Sequence, residues 1–412
     1  MLKKSDQYEL ALSAAGNVLT WYCFGLFMPF LHVLSRSFFS NGNGDTAEVA
    51  VISFLVVSAG LFLRPVGALI FGPIGDKLGR QKALSMSILM MVVPTFCIGL
   101  MPNYQQIGIL SPIALLLFRS LQGVSMGGEF TAAMVHLVEL APRDRRGFFG
   151  SLSEAGGQVG VLLANASLVL LYVFFSEAEI YEYAWRYPFF ASVLLMPFVF
   201  IHPHKEKVPT KKNKNSIFVG LLTYQKEILS VGGVTAFSSV AFYTSLTFLP
   251  YYLVKENTLT LMQATKCGAS FNLAVIFSSM FFGYLSDFLK RKLFLNGGII
   301  GVTLVTCFMF LAEAKSPTSW IFIHIMYGFF MGMYFASRAA FFAEAFPKSV
   351  RCTGIGISMS LAQAVVGGLT PVIMHYCTSI SPLFSIIPIT FTAWIGAFSL
   401  RGIEDRTGME LK

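Results

Sequence analysis

Four charged side chains lie inside long apolar stretches of the sequence. Arg119 and Glu129 are ten residues apart in one stretch, and Glu154 and Arg338 lie in two others. A charge that faces lipid costs several kcal/mol, so we expect each side chain to face the interior of a helical bundle. Ten residues of helix span about 15 Å, so Arg119 and Glu129 cannot pair directly. Buried carboxylates can carry protons and arginine binds carboxylates through paired hydrogen bonds, which predicts chemistry on small charged solutes.

The composition indicates a protein that crosses a membrane many times. The 412 residues are 55% hydrophobic and only 12% charged, whereas a soluble protein carries about 25% charged residues. Apolar runs long enough to cross about 30 Å of hydrocarbon predict an all-α integral membrane protein with twelve transmembrane helices. The predicted spans are 10–35, 50–71, 83–101, 108–138, 148–175, 185–202, 228–254, 263–286, 293–313, 318–343, 354–379 and 383–400.

The basic residues predict the orientation of these helices. Most of the 30 lysines and arginines fall in loops on one side, and cytoplasmic loops are the ones enriched in these residues. We therefore expect both termini to be cytoplasmic. The same asymmetry accounts for the net charge of +9 without a nucleic-acid partner. The opposite side of the membrane holds only Arg36, Arg186, Lys255, Lys266 and Lys315. We also expect no cleavable signal peptide, because the segment 1–10 is short and polar.

Residues 64–82 contain the most specific motif of the chain. An apolar run that begins at Arg64 meets a glycine-rich turn and then a cluster of charges, with the key residues Gly72, Asp76, Lys77, Gly79 and Arg80. Glycine lets helix ends approach closely, and the acid can cap or bridge a neighbouring helix. The string resembles the loop between the second and third helices of the major facilitator superfamily. That resemblance implies a gating role for these residues.

Two motifs occur twice. The pattern E-x-x-P-x-x-x-R runs from Glu139 to Arg146 and again from Glu344 to Arg351. The motif that ends at Asp76 is echoed by one that ends at Asp287, followed by Arg291. These repeats predict two six-helix halves, at residues 1–202 and 228–412, joined by a basic cytoplasmic linker at 203–227. Parallel repeats of this kind place the substrate at mid-membrane between the halves.

Further strings resemble the metabolite:proton symporter branch of that superfamily, which includes proline/betaine, shikimate, citrate and 2-oxoglutarate carriers. They include Gly16-Asn17, Trp21-Tyr22, Gln122-Gly123 and Glu129-Phe130. The resemblance covers essentially residues 10–400. It implies a secondary active transporter of a small organic solute that works by alternating access, in the bacterial cytoplasmic (inner) membrane. It also implies a proton as coupling ion with no other cofactor, and we expect a monomer.

The candidate site residues combine this resemblance with the polar and charged groups inside the predicted spans. We assign substrate binding to Asn17, Trp21, Tyr22, Arg119, Gln122 and Arg338, and proton coupling to Glu129, Glu154 and His32. Packing roles remain open for Asn17, Trp21, Tyr22 and the histidines. The gating motif comprises Arg64, Gly72, Asp76, Lys77, Gly79, Arg80, Asp287, Arg291, Glu139, Arg146, Glu344 and Arg351.

The sequence departs from the branch at three positions. Thr20 and Cys23 stand where the first helix usually carries two acids, and Arg338 stands where a glutamine is common. With three arginines and few acids, the cavity should take a solute with at least one carboxylate. The alternative for Arg338 is a pair with Glu344 or a side chain that extends to the cytoplasm.

Other functions fit the sequence less well. An intramembrane enzyme would need a nucleophile–base or metal arrangement such as H-E-x-x-H, and the sequence contains none. A drug-efflux antiporter would carry a proline-containing signature in the fifth span, which residues 154–160 lack. The remaining alternative is a non-transporting or uncoupled protein of the same fold, acting as a solute sensor or exchanger, because the first-helix acids are missing.

Overall fold

The structure is a computed structural model that describes residues 4–39, 59–194, 196, 221–256, 258–311 and 316–411. Most of the linker expected at 203–227 lies outside the described residues. The same holds for the start of the predicted span 50–71 and the end of the predicted span 185–202.

Within the described residues, one principal helix lies in each of the twelve predicted spans, which confirms the all-α fold class. Eight helices of this part of the chain are long and apolar enough to cross a membrane. The principal helices are α1 (Lys4–Gly25), α2 (Arg64–Leu78), α3 (Arg80–Leu100), α4 (Leu110–Leu140), α5 (Arg146–Phe174), α6 (Arg186–Leu194), α7 (Gln225–Tyr243), α8 (Leu261–Leu285), α9 (Arg291–Leu311), α10 (Pro317–Ala345), α11 (Arg351–Ala362) and α12 (Ile386–Ser399).

Three of these helices continue beyond a break. The short helix Leu31–Phe38 follows α1. A π-helical turn, Thr244–Phe248, leads from α7 into the helix Leu249–Lys255. A second, Gln363–Gly367, leads from α11 into the helix Gly368–Ile380. Such π turns shift the side-chain register within a helix and are frequent near functional sites.

Glycines set the distance between α2 and α4. A Cβ atom at Gly67 of α2 would overlap the backbone of Val124 in α4, and one at Gly123 would overlap the backbone of Gly60, which lies just before α2. Because only hydrogen occupies these positions, the two helix backbones touch, as at the small-residue interfaces of membrane helices. This contact fixes Arg64, at the start of α2, beside α4.

The first six helices contact the last six through two equivalent helix pairs. Helix α2 packs against α11, and α5 packs against α8. A shift of six helices converts one contact into the other, which is the relation expected for two repeats about an axis along the membrane normal. The exact boundaries of the two halves stay a prediction. We use "first half" for α1–α6 and "second half" for α7–α12.

Candidate functional site

Arg119 is held in the first half by neutral groups and rings. It is 1% exposed, and its Nη1 donates to Gln122 Oε1 at 2.8 Å. The Gln122 amide in turn donates to Thr95 Oγ1 at 2.7 Å. The guanidinium lies over Phe24 and Phe27, at 4.6 and 4.3 Å from the ring centroids. Its Nε has no hydrogen-bond partner among the described residues, so a donor remains free at a fixed position.

Arg64 forms a second buried guanidinium beside the first. Its Nη1 donates to Gln363 Oε1 of the second half at 2.6 Å, and its guanidinium lies 5.2 Å from the Phe24 ring that Arg119 also contacts. Its Nε and Nη2 have no partner in the described part of the chain. The sequence motif placed Arg64 with the gating residues, but twelve helical residues, or about 18 Å, separate it from Asp76. The structure therefore groups it with Arg119.

Glu129 supplies a carboxylate to the same region. It is completely buried, and neither carboxylate oxygen has a hydrogen-bond partner within the described residues. The Thr20 hydroxyl lies beside it, but donates to the Gly16 carbonyl at 3.0 Å. Arg64 lies within electrostatic range. A buried acid without fixed donors is well suited to change its protonation state.

Aromatic rings around Trp21 connect the two halves. Trp21 makes edge-on contacts with Phe24, Phe130 and Phe242, with ring centroids 5.8–6.4 Å apart. Phe242 belongs to α7 in the second half, and Trp21 Nε1 has no partner among the described residues. Asn17 donates to the Ser153 carbonyl, which is the helix-packing role left open by the sequence. Its Oδ1 has no partner in that same part of the chain.

Arg338 is paired with a protein carboxylate. Its Nη2 donates to Glu154 Oε1 of α5 in the first half, and its Nη1 donates to Ser238 at 3.2 Å. The Phe335 ring lies 4.5 Å from the guanidinium. Glu154 therefore neutralises Arg338, although the acids usual in the first helix are missing. Neither Glu344 nor the solvent takes that place, because Glu344 pairs with another arginine and Arg338 is 3% exposed.

Two assigned residues do not join this group. The Tyr22 hydroxyl donates to the Pro188 carbonyl of α6 at 3.0 Å and accepts from Ser167 at 3.4 Å. His32 is exposed, with its ring against Tyr181 at 6.0 Å. The structure thus places Tyr22 in first-half packing and His32 at the periphery. The neighbours of these groups that the sequence did not single out are Phe24, Thr95, Ser238, Phe242 and Gln363. Thr95, Ser238 and Gln363 are polar residues in apolar spans, which was the available signal.

The first repeated motif forms a hydrogen-bonded contact between the halves at one end of the bundle, here called the charged end. Asp76 accepts from the backbone amides of Cys352 and Thr353, both at 2.9 Å, and from the Thr353 hydroxyl at 2.6 Å. These amides begin α11, where the helix leaves N–H groups free. Gly72 makes the approach possible, since a Cβ there would lie 2.8 Å from Thr353 Cα.

Arg80 extends this contact. It donates to Asp76 at 2.7 Å, pairs with Glu139 at 3.1 Å and donates to the Lys348 carbonyl at 2.8 Å. Glu139 also pairs with Arg351 of the second half at 2.5 Å. Gly79 precedes Arg80 with φ at +107°, a conformation that glycine adopts readily. Lys77 is exposed and stands outside the network.

The second copy of the motif repeats the arrangement with the halves exchanged. Asp287 accepts from the backbone amides of Gly147 and Phe148, at 2.6 and 3.0 Å, at the start of α5. Arg291 donates through Nε and Nη2 to Glu344, both at 2.9 Å, and Arg146 approaches Glu344 at 3.8 Å. Burial raises the pKa of the Asp287 carboxyl, and the two amides oppose that effect. Its charged form therefore depends on the contact with the first half.

Two helical halves that enclose buried charges and close together at one end are the architecture of a membrane transporter. The sequence model of the Major Facilitator Superfamily matches residues 10–371 and again residues 231–407, and this chain belongs to that superfamily. It is a secondary transporter of small solutes embedded in a membrane, as the resemblance implied, and the family is not one of enzymes.

Curated relatives extend over nearly the whole chain. A proline/betaine transporter of Escherichia coli (strain K12) is 28% identical over 96% of this chain and 84% of its own length. A relative from Staphylococcus haemolyticus carries the same name in provisional form and is 30% identical, over 94% of this chain and 88% of its own.

Solved structures share the fold. A proton:xylose symporter of the superfamily, bound to a bromodeoxyglucose, has a TM-score of 0.81 at 13% identity, covering 98% of this chain and 97% of that one. A partially occluded, inward-open conformation of the E. coli xylose transporter has a TM-score of 0.74 at 15% identity, covering 99% of this chain and the whole of that one.

Proposed function

We propose that this chain transports a zwitterionic osmolyte of the proline or betaine type together with protons, by alternating access. The observation that carries the proposal is a set of buried polar groups left without partners among the described residues. The set contains donors of Arg64 and Arg119 and, farther along α4, the carboxylate of Glu129. The names of the curated relatives support the same class of solute.

The two arginines suit the carboxylate of such a solute. Guanidinium groups bind carboxylates through parallel N–H bonds, and two positive charges beside one another need a negative group between them. Arg338 does not take this role, because Glu154 neutralises it. The requirement for a solute carboxylate is therefore kept, but its basis moves from Arg338 to Arg64 and Arg119.

The aromatic rings suit the cationic end. Quaternary ammonium groups are attracted to the faces of tryptophan and phenylalanine, and Trp21, Phe130 and Phe242 bring such rings together at the contact between the halves. Glu129 offers a negative charge to the same end. A solute with a carboxylate and an ammonium group a few ångströms apart matches both sets of groups.

Glu129 is the better candidate for proton coupling. Glu154 is held in an ion pair with Arg338, and its protonation would leave that buried arginine without a negative partner. Glu129 lacks such a partner among the described residues and can accept a proton without breaking one. This assignment replaces the missing first-helix acids with an acid on α4.

The proposal also covers the membrane, the orientation and the oligomeric state of the protein. We place the charged end and both termini in the cytoplasm, in a bacterial inner membrane, because basic residues concentrate on that side. We propose a monomer with two halves at residues 1–202 and 228–412, no nucleic-acid partner, and no cofactor apart from the coupling proton.

The test is a binding screen on the purified protein by thermal stabilisation, since a ligand that binds the folded state raises its melting temperature. Glycine betaine and proline should stabilise the protein, whereas choline, which lacks the carboxylate, should not. Arg119→Gln and Trp21→Ala should each remove the stabilisation, and Glu182→Gln, at an exposed carboxylate outside the site, should keep it. Stabilisation by citrate or 2-oxoglutarate without any by betaine would contradict the proposal and favour a carboxylic acid carrier.

A further inference from the structure

Residues 403–411 fold back against the charged end after the last helix. Ile403 is 3% exposed, so the segment begins with a buried side chain. A turn follows, in which the Met409 amide donates to the Arg406 carbonyl at 3.0 Å and Gly408 has a φ of +78°. This left-handed conformation favours glycine. The segment therefore has a defined conformation held by its own residues.

The segment is attached to the second half at the start of α9. Asp405 Oδ2 accepts from the Lys292 amide at 3.0 Å, and Thr407 Oγ1 accepts from the Arg291 amide at 3.3 Å. The other Asp405 oxygen accepts from the Thr407 hydroxyl at 2.6 Å, which orients both side chains. The first amides of a helix need acceptors from outside it, and this segment supplies two.

The same segment reaches the first half. The Met409 carbonyl accepts from Arg146 Nη1 at 2.7 Å, and Glu410 pairs with Arg143. Both arginines lie at the connection between α4 and α5. Residues 403–411 thus connect the two halves at the end where the two motif networks also join them.

The network around Asp76 and the network around Asp287 differ in the partners of one repeat-related arginine. Arg351 in the first network donates to the Phe346 carbonyl at 3.1 Å and pairs with Glu139 at 2.5 Å. Its repeat counterpart Arg146 lies 3.8 Å from Glu344 and directs its hydrogen bond to Met409.

The repeat-related arginines Arg80 and Arg291 also differ in the number of hydrogen bonds that they make to the other half. Arg80 donates across the halves to the Lys348 carbonyl, whereas Arg291 Nη1 has no hydrogen-bond partner among the described residues. The second network has fewer bonds between the halves, and residues 403–411 add two contacts with the first half, one to Arg146 and one to Arg143.

We propose that residues 403–411 are a latch that stabilises the closed state of the charged end. The latch rests on the alternating access proposed above, because it favours one of the two states of that cycle. It acts on the second network, whose own bonds between the halves are fewer. When the latch is released, the charged end opens more often.

Cys352 provides a reporter that needs no solute. It is 1% exposed, begins α11 and lies against α2, where a Cβ at Gly75 would be 3.2 Å from its Sγ. It becomes accessible to a maleimide only when the charged end opens. In a variant that keeps Cys352 and replaces the other five cysteines by serine or alanine, the labelling rate follows the open population.

The test combines Asp405→Ala with Thr407→Val in this background. Loss of helix-capping contacts typically changes an equilibrium by about fivefold, so labelling of Cys352 should be about fivefold faster. The matched control is Glu404→Gln, at an exposed position of the same segment, which should label at the parent rate. If the double variant does not fold, Thr407→Val alone should raise the rate about twofold, as half of the capping contacts.

An unchanged labelling rate in the latch variant would overturn the proposal, as would an equal rise in the Glu404→Gln control. The labelling is measured without solute or gradient. A failure of the proposed substrate would appear in the binding screen and leave this result intact.

Discussion

Glu154 in α5 and Arg338 in α10 form an ion pair that connects the two halves of the transporter in their buried interior. Both side chains are at most 5% exposed, so neither charge is stabilised by water. The arginine also donates a hydrogen bond to Ser238 and lies over the Phe335 ring. Because the pair crosses between the halves, any rocking of one half against the other must lengthen or rearrange it. The pair is thus a structural contact, and we expect it to rearrange during the transport cycle.

The ion pair predicts strong coupling between its two members. Arg338→Gln should lower the free energy of unfolding by about 3–5 kcal/mol, because it leaves Glu154 buried without a positive partner. Adding Glu154→Gln should recover most of that loss, since two neutral amides can bond to each other. Thermal unfolding of the two single variants and the double variant in detergent measures this coupling. Additive losses would show that the residues act independently.

Proton coupling should depend on Glu129. Glu129→Gln should abolish solute accumulation driven by a pH gradient in proteoliposomes and retain solute exchange, because the amide keeps its shape but cannot titrate. Glu182→Gln, at an exposed carboxylate, is the matched control and should accumulate solute normally. Gradient-driven accumulation by Glu129→Gln would exclude this residue, and wild-type accumulation that uncouplers do not affect would exclude proton coupling.

The charged end should respond unequally to its two acids. Asp76→Asn should reduce transport more than Asp287→Asn, since Asp76 holds two amides, a hydroxyl and Arg80, whereas Asp287 holds two amides and lies 3.9 Å from Arg291. Initial uptake rates, normalised to the protein present in the membrane, measure the difference. Lys77→Gln alters an exposed neighbour and should transport normally. Equal and small effects at both aspartates would contradict a gating role.

The contact between α2 and α4 should tolerate no side chain at Gly123. Gly123→Ala places a methyl group on the backbone of Gly60 and should cost about 1–3 kcal/mol of stability, the range for overpacked cores. Gly268→Ala is the matched control, because a Cβ at that helical glycine meets nothing within 4 Å. Its melting temperature should equal that of the parent or exceed it, since alanine favours helix. A normal melting temperature for Gly123→Ala would show that the helices can separate without cost.

Short-range patterns in the sequence were sufficient for the fold and for the acids and arginines of the two charged-end networks, although they also included Arg64 and Lys77, which lie outside both. Apolar runs of membrane length predict helices because the bilayer leaves the backbone no other way to satisfy its hydrogen bonds. The motifs around Asp76 and Asp287 could be identified because glycines, acids and bases stand within a few residues of each other. Their repetition in turn indicated that one network should be a copy of the other.

The partners of the buried charges were decided by the tertiary structure alone. The sequence shows that Arg338 must face the bundle interior, but its carboxylate lies 184 residues away in the other half, and no local pattern encodes that distance. Arg64 stands next to a gating motif in sequence, yet the helix carries it about 18 Å away to Arg119. The neighbours of His32 and Tyr22 could not be predicted for the same reason, since residue type and helical position do not specify which neighbouring helix a side chain meets. The sequence by itself determined which groups are buried, and the packing of distant helices decided which of them are neutralised and which stay free for a solute.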